Sequence, residues 1–374
     1  MKNICLDLQP MLSQKTGIGY YTENLVKKLY IRNKNKYTGV TFSFFRKKEN
    51  QRLIEGIKYK HYNFFPFYSE KIKFIWRYLP ISTNFFLKEK YDIYHSFNSN
   101  IPGKIRKNIN VIITIHDLIP FLFPELCKGD KKKYFDNLVE KIKRADIILT
   151  VSEYSKKDII KYLEVDPLKI RIISPGIELK DYERIKSKEI KKVKEKYNLT
   201  KKFILFLGAL EPKKNIVNII KGFEIADLEN IELVIAGGKG WKYEGIFETY
   251  KNSPCKKNIQ MLDYIAEEDK IALYKGAELF VFPSLYEGFG MPVLEAMASG
   301  TPVITSNVSS LPEVAGDAAI LVNPYDVKEI SKAMKNIIEN EELKKKMIRK
   351  GLDQVKKFTW EESVKKLEKI YSEL

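Results

Sequence analysis

Apolar residues in this chain recur in short runs, each followed by a turn bearing glycine or polar residues and then by a stretch of helical period. In the first half the runs span residues 3–8, 40–45, 93–97, 111–115, 147–151 and 170–174. In the second they span 203–207, 233–237, 261–265, 279–285, 303–305 and 319–322. Runs this short and nearly continuous read as strands covered on both faces. Strands that alternate with helices predict parallel sheets wound on both sides. The pattern therefore predicts an α/β chain with two doubly wound, Rossmann-like sheets. Such sheets bind ligands at their carboxyl edges, which would face one cleft.

Length agrees with two units, because 374 residues exceed what a single core supports. The stretch 178–198 is highly charged and poor in apolar residues, so the junction is expected around residues 175–200. We place a first domain at 1–175 and a second at 176–355. The lysine-rich tail, 344–373, reads as helical. Apolar residues make up 44% and aromatics 12%, enough to fill two cores. Three cysteines, Cys5, Cys127 and Cys255, lie far apart and form no disulfide or zinc spacing, which fits a reducing compartment. The first ten residues lack the basic flank and long apolar core of a signal peptide, and no window has the apolar length of a membrane span. A cytoplasmic protein is expected.

Charge sharpens the picture because it is segregated. Residues 1–180 carry 34 Lys and Arg against 18 Asp and Glu, a net +16, whereas 181–374 carry 32 against 30. Residues 59–87 combine many aromatics with lysines and arginines, among them Phe64, Phe65, Phe67, Phe74, Trp76, Arg77 and Tyr78. Such a mixture suits the headgroup zone of an anionic membrane, on the inner face of the cell membrane here. The competing reading is a helix packed on the first sheet. No nucleic-acid-binding module is present to use the charge, so nucleic acid is not an expected partner.

The densest chemistry lies in Glu287-Gly288-Phe289-Gly290-Met291-Pro292-Val293-Leu294-Glu295. It follows a buried-strand run, Pro292 marks a first helical position, and Gly300 follows the helix end. Gly288 and Gly290 let a ligand approach the backbone, and the helix start offers free N–H groups to an anion. A carboxylate such as Glu295 repels phosphate but accepts hydrogen bonds from sugar hydroxyls. Together these features suit a nucleotide sugar. The alternative is a tight turn with a solvated Glu287. Lys213 and Lys214 follow another strand end, at Gly208, and either neutralise a pyrophosphate or simply solvate the loop. His116, at the end of the 111–115 run, is the candidate for substrate contact in the first half. His61 and His95 have no metal-ligand spacing with it. Gly17-x-Gly19 opens a helix after the first strand, but Thr22 replaces the third glycine of a dinucleotide fingerprint and no ribose-binding acid follows.

The string from Pro283 to Ile304 resembles the donor-site signature of the retaining GT-B glycosyltransferases of the glycosyl transferases group 1 family: a Glu, seven residues, and a second Glu in a strand–loop–helix context. His116-Asp117-Leu118 resembles a mannosyltransferase-like subset. The resemblance runs from Gly17 to Trp360 and is weaker between residues 46 and 90. It implies two Rossmann-like domains facing a cleft, with a terminal helix, 356–374, crossing back onto the first domain, anchored by Trp360. It also implies transfer of a hexose from a nucleotide diphosphate sugar, GDP-mannose favoured and a UDP-sugar possible, to a glycan or lipid-linked acceptor in surface polysaccharide or glycolipid assembly. The implied catalytic residues are Glu287, His116 and Lys214. The implied donor site comprises Gly17, Gly19, Gly208, Lys213, Lys214, Leu262, Ile265, Glu287, Gly288, Phe289, Gly290, Met291, Leu294 and Glu295, with Leu262 and Ile265 beside the nucleobase. The family carries Arg where Lys213 stands, so a bidentate phosphate contact is lost there. No cofactor or metal is implied, and no Asp-x-Asp triplet is present. The nearest competitor is a nucleotide-sugar epimerase, or a binding protein, on the same fold.

Overall fold

The structure, a computed structural model, describes residues 1–12, 17–43, 59–63, 90–99, 101, 108–126 and 131–374. Among these residues the chain forms two all-parallel sheets. The first has the order β3-β2-β1-β4-β5-β6-β7, with β1 Asn3–Asp7, β2 Lys36–Ser43, β3 Tyr59–Asn63, β4 Ile93–Ser96, β5 Asn110–Thr114, β6 Ile147–Thr150 and β7 Ile170–Ile172. The second has the order β10-β9-β8-β11-β12-β13, with β8 Lys202–Leu207, β9 Ile231–Ala236, β10 Ile259–Leu262, β11 Leu279–Phe282, β12 Val303–Ser306 and β13 Ile320–Val322. In each sheet the order reverses once, between β1 and β4 and between β8 and β11. The two crevices at those reversals are where ligands bind in this architecture. Gly17 follows β1, Lys213 and Lys214 follow β8, and Glu287 follows β11, so the sequence candidates gather at the reversals.

The runs read from the sequence are strands, shifted by a few residues at their ends. β3 was not expected as a strand. Its residues, Tyr-Lys-His-Tyr-Asn, form no apolar run, and among the described residues it pairs with β2 at the edge of the sheet. The aromatic and basic stretch beyond it, 64–89, and Cys127 lie outside the described residues. The charged stretch 178–198, where the junction is expected, is largely helical. It forms helices Leu179–Arg184 and Ser187–Lys196, each pinned by one buried side chain, Tyr182 and Val193.

The tail breaks into helices Glu341–Gln354 and Trp360–Glu373, and the second returns to the first sheet. Tyr371 Oη lies 2.6 Å from His95 Nδ1 in β4, and burial lowers that imidazole to about 3, which keeps it neutral. Arg32 pairs with Glu361 and, at 3.0 Å, with Glu368. Trp360 is buried against the Tyr21 ring, and it sits so close to Gly176 that a Cβ there would lie 2.1 Å from the Trp360 amide nitrogen. The crossover is fastened at both ends.

Candidate active site

β11 is an uninterrupted buried strand, and the chain leaves it at Phe282 to form the loop that carries Glu287. Gly290 closes the loop with φ +115°, a conformation that side chains disfavour, and caps the helix Met291–Ala298. Serines from the segment after β12 hold this loop. The Ser310 hydroxyl lies 2.9 Å from the Glu287 carbonyl and 2.7 Å from that of Phe289, and Ser309 Oγ accepts from the Glu287 amide at 3.2 Å. Asn215, with φ +62°, donates from its side chain to the carbonyls of Pro283 and Pro324, and the Leu285 amide donates to the Lys213 carbonyl. The lysine loop and the glutamate loop are thus one bonded unit.

Within that unit Lys214 Nζ lies 2.5 Å from Glu287 Oε1 and 4.8 Å from the Phe282 ring centroid, and both charged side chains are only 12% exposed. Burial pushes the Glu287 carboxyl up, but Lys214 and Lys213 overcome it and hold the group below its usual range. Burial also draws Lys214 down, and neighbouring Lys213 adds to this against the pull of Glu287. Lys213 lies further out, 3.9 Å from Glu211. The pair is a buried ion pair with a second cation, Lys213, beside it.

Glu295 stands in the second turn of the helix and is also buried. Lys270 Nζ donates to one of its oxygens at 2.6 Å and Tyr274 Oη to the other at 3.0 Å. These partners are four residues apart on the helix Glu267–Gly276, so one face presents both. Sequence reasoning missed them, because nothing in the motif points to a helix about twenty residues upstream. Across the cleft, the Tyr20 phenol is pushed up to about 12 by burial, then by Glu267 and Glu295. The helix Gly17–Arg32 therefore faces the Glu295 end of the site.

The other candidates fall in several environments. Gly17 is exposed with no atom within 4 Å of a hypothetical Cβ, whereas Gly19 is buried in the helix. Gly208 donates its amide to Ala236, and Gly237, at φ +145°, packs onto its carbonyl. Leu262 accepts from the Gly237 amide at 3.3 Å at the end of β10, and Ile265 is buried beyond it. Met291 is partly exposed at the helix start. Leu294 and Phe289 use their side chains for packing, Leu294 in the core and Phe289 edge-on to Phe358. The Phe289 carbonyl is taken by Ser310, which leaves its backbone amide as the group to meet a ligand. His116 Nε2 lies 2.9 Å from the Phe97 carbonyl, which fixes the proton on that nitrogen and leaves Nδ1 as an acceptor. Burial lowers the ring's pKa, so it is neutral. Among the described residues no three His, Cys, Asp or Glu side chains gather to hold a metal ion.

Removing Lys214 leaves Glu287 buried without its direct ion-pair partner. Lys214→Met is expected to destabilise the fold by about 3–5 kcal/mol at neutral pH, and Lys213→Met by much less. In the wild type the depressed carboxyl contributes stability above the ordinary carboxylate range and loses it as pH falls through the depressed value. In Lys214→Met only Lys213 and the Ser284 side chain still oppose burial, so the carboxyl rises and protonation relieves the strain. The gap in melting temperature between the two proteins should therefore shrink as pH falls from 7 to 4; a constant gap would contradict the pairing.

The comparisons with known proteins agree with this geometry. Residues 187–354 match the family Glycosyl transferases group 1, and residues 16–181 match Glycosyltransferase Family 4. The chain is 34% identical over 275 residues to the O-antigen chain mannosyltransferase B of Escherichia coli, covering 72% of this chain and 71% of that protein. It is 32% identical over 274 residues to the serotype-specific mannosyltransferase WbdA of Escherichia coli, covering 70% of this chain but 32% of that longer protein. Anabaena Alr3699/HepE, solved in complex with UDP and glucose, superposes with a TM-score of 0.78 over 100% of both chains at 16% identity, a likeness of fold. Two facing Rossmann-like lobes, the paired glutamates of the strand–loop–helix and these matches lead to one conclusion: the chain belongs to the glycosyl transferases group 1 family and is a glycosyltransferase of GT-B fold.

Proposed function

We propose that the protein moves a hexose, mannose from GDP-mannose, to a hydroxyl of a glycan or lipid-linked acceptor, with retention at the anomeric carbon and without a metal. The observation that carries this reading is the buried Lys214–Glu287 pair, with Lys213 beside it, at the start of the helix Met291–Ala298. That arrangement sets cations and backbone N–H groups against one ligand region and a carboxylate beside it, as a diphosphate joined to a sugar requires. The 34% identity to an O-antigen chain mannosyltransferase supports mannose and a polysaccharide acceptor. The His116-Asp117-Leu118 signature supports the same sugar.

In this reading residues 176–355 hold the donor, 1–175 receive the acceptor, and 356–374 tie the two together. Glu295 takes the ribose hydroxyls, aimed by Lys270 and Tyr274. The backbone near Leu262 and Ile265 lies along the base. Lys213, Lys214 and the amides of Phe289 and Gly290 hold the diphosphate, and Glu287 takes hydroxyls of the transferred sugar. Nδ1 of His116 accepts from that sugar across the cleft. During transfer the bond from the anomeric carbon to the diphosphate oxygen breaks and the acceptor oxygen bonds on the same face. The acceptor proton passes to the departing phosphate. Charge grows on that phosphate, where the lysines and helix dipole stabilise it without reorganising. The net +16 of residues 1–180 favours a position on the anionic inner face of the cell membrane.

A thermal-shift screen of nucleoside diphosphates and their sugars should give its largest shift with GDP and GDP-mannose; a shift with the UDP pair alone would reassign the base. Glu295→Ala should weaken nucleotide binding about tenfold, and Glu287→Ala should lower kcat about 100-fold with little change in nucleotide affinity. Turnover should survive EDTA, and donor consumed without acceptor would favour an epimerase. Liposomes containing anionic lipid should retain the protein at low salt and release it at high salt; failure to retain it removes the membrane from the account.

A further inference from the structure

Two motifs play no part in the donor site just described, and they meet each other across the cleft. One is Thr150-Val151-Ser152-Glu153-Tyr154-Ser155, where the helix Glu153–Leu163 of the first lobe begins. The other is Leu311-Pro312-Glu313, after β12 in the second. The Glu313 carboxylate accepts from the Glu153 amide at 3.0 Å and from the Tyr154 amide at 3.3 Å. It thereby satisfies first-turn donors that have no partner within their own helix, and it places negative charge at the positive end of the dipole.

The same helix grips the glutamate loop on both sides of Glu287. Ser152, Ser155 and Asp158 are spaced by three and share one face. Ser152 Oγ accepts from the Ser155 amide at 3.0 Å and donates to the Gly288 carbonyl at 2.7 Å, so a single hydroxyl caps the helix and crosses the cleft. Ser155 Oγ lies 3.1 Å from the same carbonyl. Asp158 accepts from Tyr286 Oη, within an aromatic group completed by Phe123 and Tyr154. A Cβ on Gly288 would come within 2.4 Å of the His116 carbonyl oxygen, so the lobes can approach this closely only because residue 288 has no side chain. Ser309 and Ser310 of the second lobe meanwhile hold the Glu287 backbone. The residues immediately before and after Glu287 are therefore bonded to one lobe, and Glu287 itself to the other.

We propose that Ser152, Ser155, Asp158 and Glu313 form a clasp of positioning residues that aims the Glu287 carboxylate when the lobes close. The proposal rests on the assignment of Glu287 to the transferred sugar. It assigns the nucleotide, by contrast, to the second lobe alone. Loss of the clasp should then impair turnover while leaving nucleotide affinity intact.

The test uses the full chain and two variants, Tyr286→Phe, which removes one hydroxyl, and Glu313→Ala. Each should lower kcat about tenfold while the Kd for GDP stays within about twofold of wild type. Hydrogen exchange at the Glu153 and Tyr154 amides should accelerate in Glu313→Ala. Wild-type kcat in both variants would overturn the proposal, as would parallel losses of kcat, GDP affinity and melting temperature, which would mark a merely structural role. If the wild type does not turn over a nucleotide sugar, the functional reading fails instead. The exchange measurement still decides the clasp in that case, since unchanged protection of the two amides in Glu313→Ala would rule it out.

Discussion

The structure of the site depends on one buried ion pair. Lys214 and Glu287 come from loops 73 residues apart, and neither charge is stable alone in the space they share. Each compensates the other's desolvation, and the Phe282 ring completes the surroundings of the ammonium. A lysine in this state still has N–H groups to give to an anion, and the carboxylate is held charged, as an acceptor of hydroxyl hydrogen bonds should be. On the proposed reading the pair joins the two chemistries a nucleotide sugar demands, a cation for phosphate and an acceptor for sugar.

The fold serves to keep that pair in register. β8 and β11 are neighbours at the point where the strand order of the second sheet reverses, so the loops leaving them meet above one crevice. Asn215, Ser309 and Ser310 then fix the loops through carbonyls and amides that would otherwise lack partners. The first lobe approaches from the other side through the helix Glu153–Leu163, and the terminal helix Trp360–Glu373 spans back to brace it. Hydrogen bonds from Ser152 and Ser155 and to Glu313 join the lobes at the cleft, and apolar side chains pack against each sheet.

Much of this was legible in the sequence. The strands announced themselves because both faces are covered, and the strand–loop–helix around Glu287 carried its own punctuation in Gly290 and Pro292. The lysine pair was singled out by the family resemblance, since a Lys-Lys after a strand end could equally solvate a loop. What stayed hidden depends on distance along the chain. Lys270 and Tyr274 sit on a helix of ordinary amphipathic pattern, and only folding brings them to Glu295. Ser152 is of a residue type that caps helices, and it does so here, but its second bond to Gly288 needed the other lobe. Leu294, which the family motif places at the donor site, is a core residue because its position on the helix faces inward. β3 escaped because an edge strand need not be apolar, and the helices of the junction because each buries only one side chain.

The account turns on Lys214 meeting the charge of a bound diphosphate while it stays paired with Glu287. The most direct measurement compares the affinities of GDP and GMP by calorimetry in the wild type and in Lys214→Met. The wild type should prefer the diphosphate by about tenfold or more, and the substitution should abolish most of that preference while leaving GMP affinity nearly unchanged. An equal preference in both proteins would contradict the account, since the diphosphate would then be held elsewhere.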